Sequence, residues 1–208
     1  MSSTSRLERA WQSLDIPTER LSQPTLILLC GLPGTGKSHL ARLLGERLPL
    51  VLVASDRIRR VLFPEPRYTP EEHHAVHATC QELVDRLLSE GHSVVLDATN
   101  LAHRHRQRYY NLAEEHGANL LILHTTAAPE VVRRRLRERG EGNLPAYDSE
   151  ADWEVYQQYS ERMEPIRRPH RLVDTSGDLM PVVEDLVRYL SLIHISEPTR
   201  LLSISYAV

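Results

Sequence analysis

"TLILLCGLPGTGKSHL", residues 25–40, sets a strongly apolar run directly before Gly31 and then reaches Gly36-Lys37-Ser38. An uninterrupted apolar run of this kind reads as a strand buried on both faces, and the residues after Lys37 carry apolar positions at helical spacing. Gly, four residues, then Gly-Lys-Ser between a strand and a helix is the pattern of a phosphate-cradling loop. Its glycines let backbone N–H groups turn inward, and the helix adds the positive end of its dipole. On that reading Gly31, Leu32, Pro33, Gly34, Thr35, Gly36, Lys37, Ser38 and His39 surround the triphosphate of ATP. Lys37 reaches the β and γ phosphates, and Ser38 ligates Mg²⁺. The plain alternative is a Gly-rich turn that holds no ligand. The loop leaves open where the phosphate goes: to water, to a protein partner or to a chemical acceptor.

The chain has 208 residues and a net charge of −3. That length suits one domain with a sizeable core, and that charge does not advertise a nucleic-acid binder. Two cysteines, Cys30 and Cys80, make no disulfide framework and point to a reducing compartment. The apolar runs are too short to span a bilayer, and "MSSTSRLERAWQSLD" lacks the apolar centre of a signal peptide. The expectation is a soluble cytoplasmic protein with no membrane partner.

From about Leu190 the sequence reads "LSLIHISEPTRLLSISYAV". "LSLIHISEPTR" corresponds to one reading frame of a transposon-type sequencing adapter, and "ISYAV" to the adapter's downstream end. Residues 201–203 fall where a variable index would lie. Residues 190–208 are therefore expected to be a non-native tail, and are set aside from fold reasoning. The alternative is an ordinary amphipathic tail. On the adapter reading, the native C-terminus and any further domain are missing.

Strands and helices alternate along the rest. Residues 1–24 form a polar extension with one helical fragment. Strands are expected at 25–30, 50–54, 93–97, 119–125 and 171–175. Helices are expected at 38–48, just after Asp56, from Thr69 to Glu90, 102–116, 129–140, about 149–164 and 179–190. Thr69-Pro70-Glu71-Glu72 is a strong helix start, with a cap, a proline and two acids. Short, apolar, non-alternating strands separated by helices predict a parallel sheet covered on both faces.

The strand ends carry the remaining chemistry. "VVLDATN" ends the third strand at Asp97, a carboxylate suited to supporting Mg²⁺. Ala98 stands where an ATP-hydrolysing machine would place a water-activating Glu, which favours transfer to an acceptor. A structural strand-end acid is the other reading of Asp97. "ASDRIRR" puts Asp56 at the crevice edge where open α/β sheets bind ligands. There it is placed to take a proton from an acceptor hydroxyl, or simply to cap the helix. Arg59, on the same helical face, is suited to an acceptor anion. "VVRRRLRERGEGNLPAYD" presents Arg135 and Arg139 four residues apart before a loop, about 140–148, that reads as a lid. A solvated helix face is the other reading of the run, and it accounts for some of Arg133, Arg134 and Arg137. Arg104 and Arg108 in "HRHRQRYY" either meet an anionic acceptor or form basic surface. His73, His74 and His77 read as helix surface, with a metal pair as the alternative.

Taken in order, "GLPGTGKS", "SDRIRR", "VVLDATN", "RRRLRERG" and "DTSG" resemble the P-loop kinases of the polynucleotide-kinase and zeta-toxin kind, often labelled AAA-type ATP-binding kinases. The resemblance runs from about Thr25 to Gly177. It implies an α/β, three-layer P-loop NTPase fold with a central, mostly parallel five-stranded sheet, here 25–189. It implies Asp56 as the base and Arg59 as an acceptor contact. Arg135 and Arg139 match its paired lid arginines. It further implies that Asn100 contacts the acceptor and that adenine binds near Thr175–Gly177. Related chains also occur fused to aminoglycoside-phosphotransferase-like domains.

The expected activity is ATP- and Mg²⁺-dependent transfer of the γ-phosphate to a hydroxyl. Lys37, Asp56, Arg135 and Arg139 would be catalytic, with Ser38 and Asp97 on the metal. Arg59, Asn100, Arg104 and Arg108 would face the acceptor. That acceptor is a small molecule or a nucleic-acid 5′-end, and the acidic net charge favours the small molecule. A nucleotide-dependent switch with slow hydrolysis and a protein partner is the rival reading. A transporter-type ATPase is weaker still.

Overall fold

Strand β1 (Thr25–Cys30) runs through the middle of a five-stranded sheet, all six of its residues buried. The computed structural model describes residues 3–140 and 151–192. Around β1 lie β2 (Leu50–Ala54), β3 (Ser93–Asp97), β4 (Asn119–Thr126) and β5 (Arg171–Asp174) in the order β2-β3-β1-β4-β5, with every pairing parallel. Successive residues of a strand point to opposite faces. Leu26, Leu28 and Cys30 therefore join Val94 and Leu96 in one core, while Ile27 and Leu29 join Val95 and Leu123 in the other. Both faces being apolar is why these strands read as continuous hydrophobic runs.

The helices cover both faces. In chain order they are α1 (Ser3–Gln12), α2 (Lys37–Gly45), α3 (Ser55–Leu62), α4 (Pro70–Ser89), α5 (His103–Glu115), α6 (Pro129–Gly140), α7 (Trp153–Arg162) and α8 (Met180–Leu192). Helix α4 starts as its sequence predicts: Pro70 lies in the first turn, and the Thr69 hydroxyl accepts from Glu72 N at 3.3 Å. Helix α2 stops at Gly45, short of the expected Leu48. Arg47 N and Leu48 N turn back to the Leu44 carbonyl instead.

The N-terminal segment is part of the same packing. Ala10 is fully buried in the first core, with Leu7 and Trp11 against it, and the Arg86 guanidinium lies 3.7 Å from the Trp11 ring centroid. Leu190 is buried in the second core near the end of α8. The expected lid and the expected helix start at Ser149 lie outside the described residues, as do residues 193–208 of the proposed tail. Helix α7 begins at Trp153, with the Asp152 carboxylate accepting from Val155 N at 2.9 Å. No helix among the described residues is long and apolar enough to cross a membrane.

Candidate active site

The loop between β1 and α2 sits at the carboxyl edge of the sheet, where β1 is flanked by β3 on one side and β4 on the other. Gly31 is required there by close approach. A Cβ on it would come within 2.5 Å of Thr125 Oγ1, and its N–H donates to the Thr99 carbonyl at 3.2 Å. Gly36 caps α2 at φ 82°, in the left-handed region that glycine adopts without strain. Beneath the loop, Thr35 Oγ1 donates to the Leu32 carbonyl at 2.7 Å and lies 2.8 Å from Thr125 Oγ1.

These elements open onto a cleft of about 800 Å³. Pro33, Gly34, Gly36, Lys37, Ser38 and His39 form its loop wall, Asp56, Arg59 and Asp97 its strand-end wall, and Arg135 and Arg139 of α6 a third side. Ala54 pairs with Asp97 across the β2–β3 ladder, so the two strand-end carboxylates, Asp56 and Asp97, emerge side by side. The tertiary structure thus gathers most of the candidate residues into one concave site.

Lys37 is 8% exposed, and its Nζ donates to the Leu32 carbonyl at 2.8 Å. Burial pulls its pKa below the ordinary lysine value. The Asp97 carboxylate, and then that of Asp56, oppose this, whereas Arg139 reinforces it. Two carboxylates and an arginine therefore act on one ammonium where a triphosphate would lie. Asp56 sits in the first turn of α3, whose N-cap position is Ala54, with no side-chain cap hydrogen bond there.

The part of the cleft around Arg59 is more constrained than its sequence suggests. Arg59 is only 5% exposed. Its Nη2 is 2.9 Å from His73 Nδ1, its Nη1 is 3.7 Å from Glu72 Oε2, and the Tyr68 ring centroid is 4.8 Å from its Cζ. Glu72 in turn accepts from Arg67 N and Tyr68 N, holding Tyr68 at φ 54°. Burial, followed by His105 and His73, holds the nearby His77 down to about 4. Among the described residues, no group of three or more His, Cys, Asp or Glu could hold a metal. A Mg²⁺ ion carried by triphosphate oxygens needs only one or two protein ligands, and Ser38 and Asp97 in the cleft wall fit that requirement.

Three candidates lie elsewhere. Asn100 is 2% exposed at φ 49°, and its Nδ2 donates to the Leu29 carbonyl at 2.7 Å, tying the loop after β3 to β1. Arg104 and Arg108 are exposed on α5 outside the cleft wall, with Arg108 donating to Gln81 Oε1 at 3.1 Å. The arginine between them, Arg106, is 1% exposed and donates to the carbonyls of Asn100, Leu101, Glu164 and Pro165. Its signal was present in the sequence. Arg106, Tyr109, Tyr110 and Ala113 follow the helical period of the buried face of α5. Thr175, which the sequence places beside an expected adenine site, is fully buried against the phosphate loop, its hydroxyl donating to the Thr35 carbonyl at 3.0 Å.

A family model described as an AAA domain matches residues 26–166. Uncharacterized proteins of Mycobacterium tuberculosis and Mycobacterium bovis are 30% identical over 182 residues, covering 81% of this chain and 35% of theirs. The chain thus spans about a third of the length of these curated relatives. Among solved structures, Kti12 of Chaetomium thermophilum with ADP-AlF3 superposes with a TM-score of 0.63 at 20% identity, over 79% of this chain and 96% of that one. An APS kinase of Mycobacterium tuberculosis with AMPPNP and APS gives 0.61 at 14%, over 81% and 98%. A gluconokinase of Sinorhizobium meliloti gives 0.56 at 21%, over 84% and 95%. The shared architecture is the P-loop kinase fold.

Proposed function

The chain belongs to the AAA-domain family, in the P-loop kinase fold, and from that premise we propose that it transfers the γ-phosphate of ATP to a hydroxyl of an acceptor. The observation that carries this reading is the placing of Asp56 and Asp97 beside Lys37 in one cleft, each carboxylate acting on its ammonium. Lys37, Ser38 and the loop N–H groups hold the triphosphate. Ser38 and Asp97 would hold Mg²⁺, which when bound neutralises charge on the phosphate oxygens. The Asp56 carboxylate takes the acceptor's hydroxyl proton. The acceptor oxygen bonds to the γ-phosphorus, and the bond from that phosphorus to the β–γ bridging oxygen breaks, releasing ADP. Arg139, at the lid end of the cleft, faces the charge on the transferring group.

Ala98, directly after Asp97, supports transfer over hydrolysis, because no carboxylate stands there to direct water. The similar structures named as kinases, of APS and of the gluconokinase type, support a small acceptor. So does the placement of Arg104 and Arg108 outside the cleft wall, which Arg59 and Arg162 line instead. A nucleic-acid 5′-end would want a basic track and would bind more weakly as salt rises.

Transfer of labelled γ-phosphate to a panel of small hydroxyl compounds and to a 5′-hydroxyl oligonucleotide tests the reading. Asp56→Asn should cut transfer by about 10²-fold or more while AMPPNP still binds. Undiminished turnover in Asp56→Asn would instead identify a nucleotide-dependent switch.

A further inference from the structure

The two lid arginines, alike in sequence, have different surroundings. Arg135 Nη2 donates to the Thr175 carbonyl at 2.6 Å, and its Nη1 donates to Thr175 Oγ1 at 2.9 Å and to the Gly34 carbonyl at 3.4 Å. Thr175 is fully buried at the end of β5, where its N–H donates to the Thr126 carbonyl at 2.8 Å. Its hydroxyl, while accepting from Arg135, donates to the Thr35 carbonyl at 3.0 Å. The side chain also backs onto Gly36 so closely that a Cβ there would lie 2.9 Å from Thr175 Oγ1. One hydroxyl therefore touches the phosphate loop at two successive residues and the lid helix at a third point. A hydroxyl that donates once and accepts once between a guanidinium and a carbonyl has its direction fixed.

We infer that Thr175 is a positioning residue that couples helix α6 to the phosphate loop through Arg135, leaving Arg139 as the lid arginine that faces the transferring phosphate. The inference rests on the nucleotide-binding part of the kinase reading. The charge map agrees. Both arginines line the cleft, and the charge of Arg139 is the one that lowers the Lys37 pKa, while that of Arg135 falls on His39 and Asp174. A bidentate guanidinium held by two carbonyls and a hydroxyl fixes the loop's shape before nucleotide arrives, so its loss should weaken binding more than chemistry.

The test is a double-mutant cycle on AMPPNP affinity, measured by titration calorimetry on the full chain. Thr175→Val keeps the shape and removes the hydroxyl. It should raise the dissociation constant about tenfold, and Thr175→Ser should restore it to within about twofold, as expected for one charge-assisted hydrogen-bond partner. Arg135→Gln should weaken binding by a similar factor, and the double variant should be no weaker than either single one. In transfer assays the Arg135→Gln loss should fall on the KM for ATP, and the Arg139→Gln loss on kcat. Wild-type AMPPNP affinity in Arg135→Gln or in a folded Thr175→Val, or strictly additive losses, overturns the coupling while leaving the kinase reading intact. No AMPPNP binding by the wild-type chain overturns both.

Discussion

The guanidinium of Arg106 donates to the main-chain carbonyl of Asn100 at 2.8 Å, directly behind the loop that follows β3. Asn100 in turn grips β1 through the Leu29 carbonyl, so a buried charge on α5 and a left-handed asparagine together tie the loop after β3 to β1.

Arg106→Met should therefore destabilise the fold by about 3 kcal/mol or more, because four carbonyls lose a charged donor at a buried site. Arg104→Ala, on the exposed side of the same helix, should change stability by less than about 0.5 kcal/mol. Urea unfolding of the two variants side by side checks the contrast. Equal midpoints would remove Arg106 from its structural role.

Gly36→Ala should damage the site with little change elsewhere. At φ 82°, a residue with a Cβ carries strain of about 1–2 kcal/mol. The new methyl would also press on Thr175 Oγ1 at 2.9 Å. AMPPNP affinity should fall at least about tenfold, a loss of roughly 1.4 kcal/mol in binding. Wild-type affinity in the variant would show that nucleotide binds elsewhere.

Acid should destabilise the protein through His77. Its folded pKa, about 4, lies below the ordinary value of 6.5, chiefly through burial and then through His105. Above the ordinary value the imidazole is neutral whether the chain is folded or not. Between 6.5 and about 4 the unfolded chain takes the proton and the folded chain resists it. Stability should therefore drop by roughly 2–3 kcal/mol as pH falls through that window. Urea midpoints at pH 7 and near pH 4 should show the drop, and His77→Gln should reduce it. A slope unchanged by the substitution would assign the effect to other groups.

By itself the sequence determined the order of strands and helices, the strand–loop–helix around Lys37, and the two strand-end acids. These are local properties. Continuous apolar runs report burial on both faces, glycine spacing reports backbone shape, and a strand's end reports the crevice. The helical period marked Arg106 for the buried face of α5, but only the tertiary structure decided that it meets the carbonyls of Glu164 and Pro165, which lie far along the chain. The tertiary structure likewise gave Arg135 and Arg139, four residues apart and alike in type, different surroundings: Arg135 donates to Thr175 and to the Gly34 carbonyl, while the charge of Arg139 lowers the Lys37 pKa. Thr175 lies 140 residues from the Thr35 carbonyl it meets. A contact of that range leaves no periodicity in the chain, and it exists only once β4 and β5 have paired in parallel beside β1.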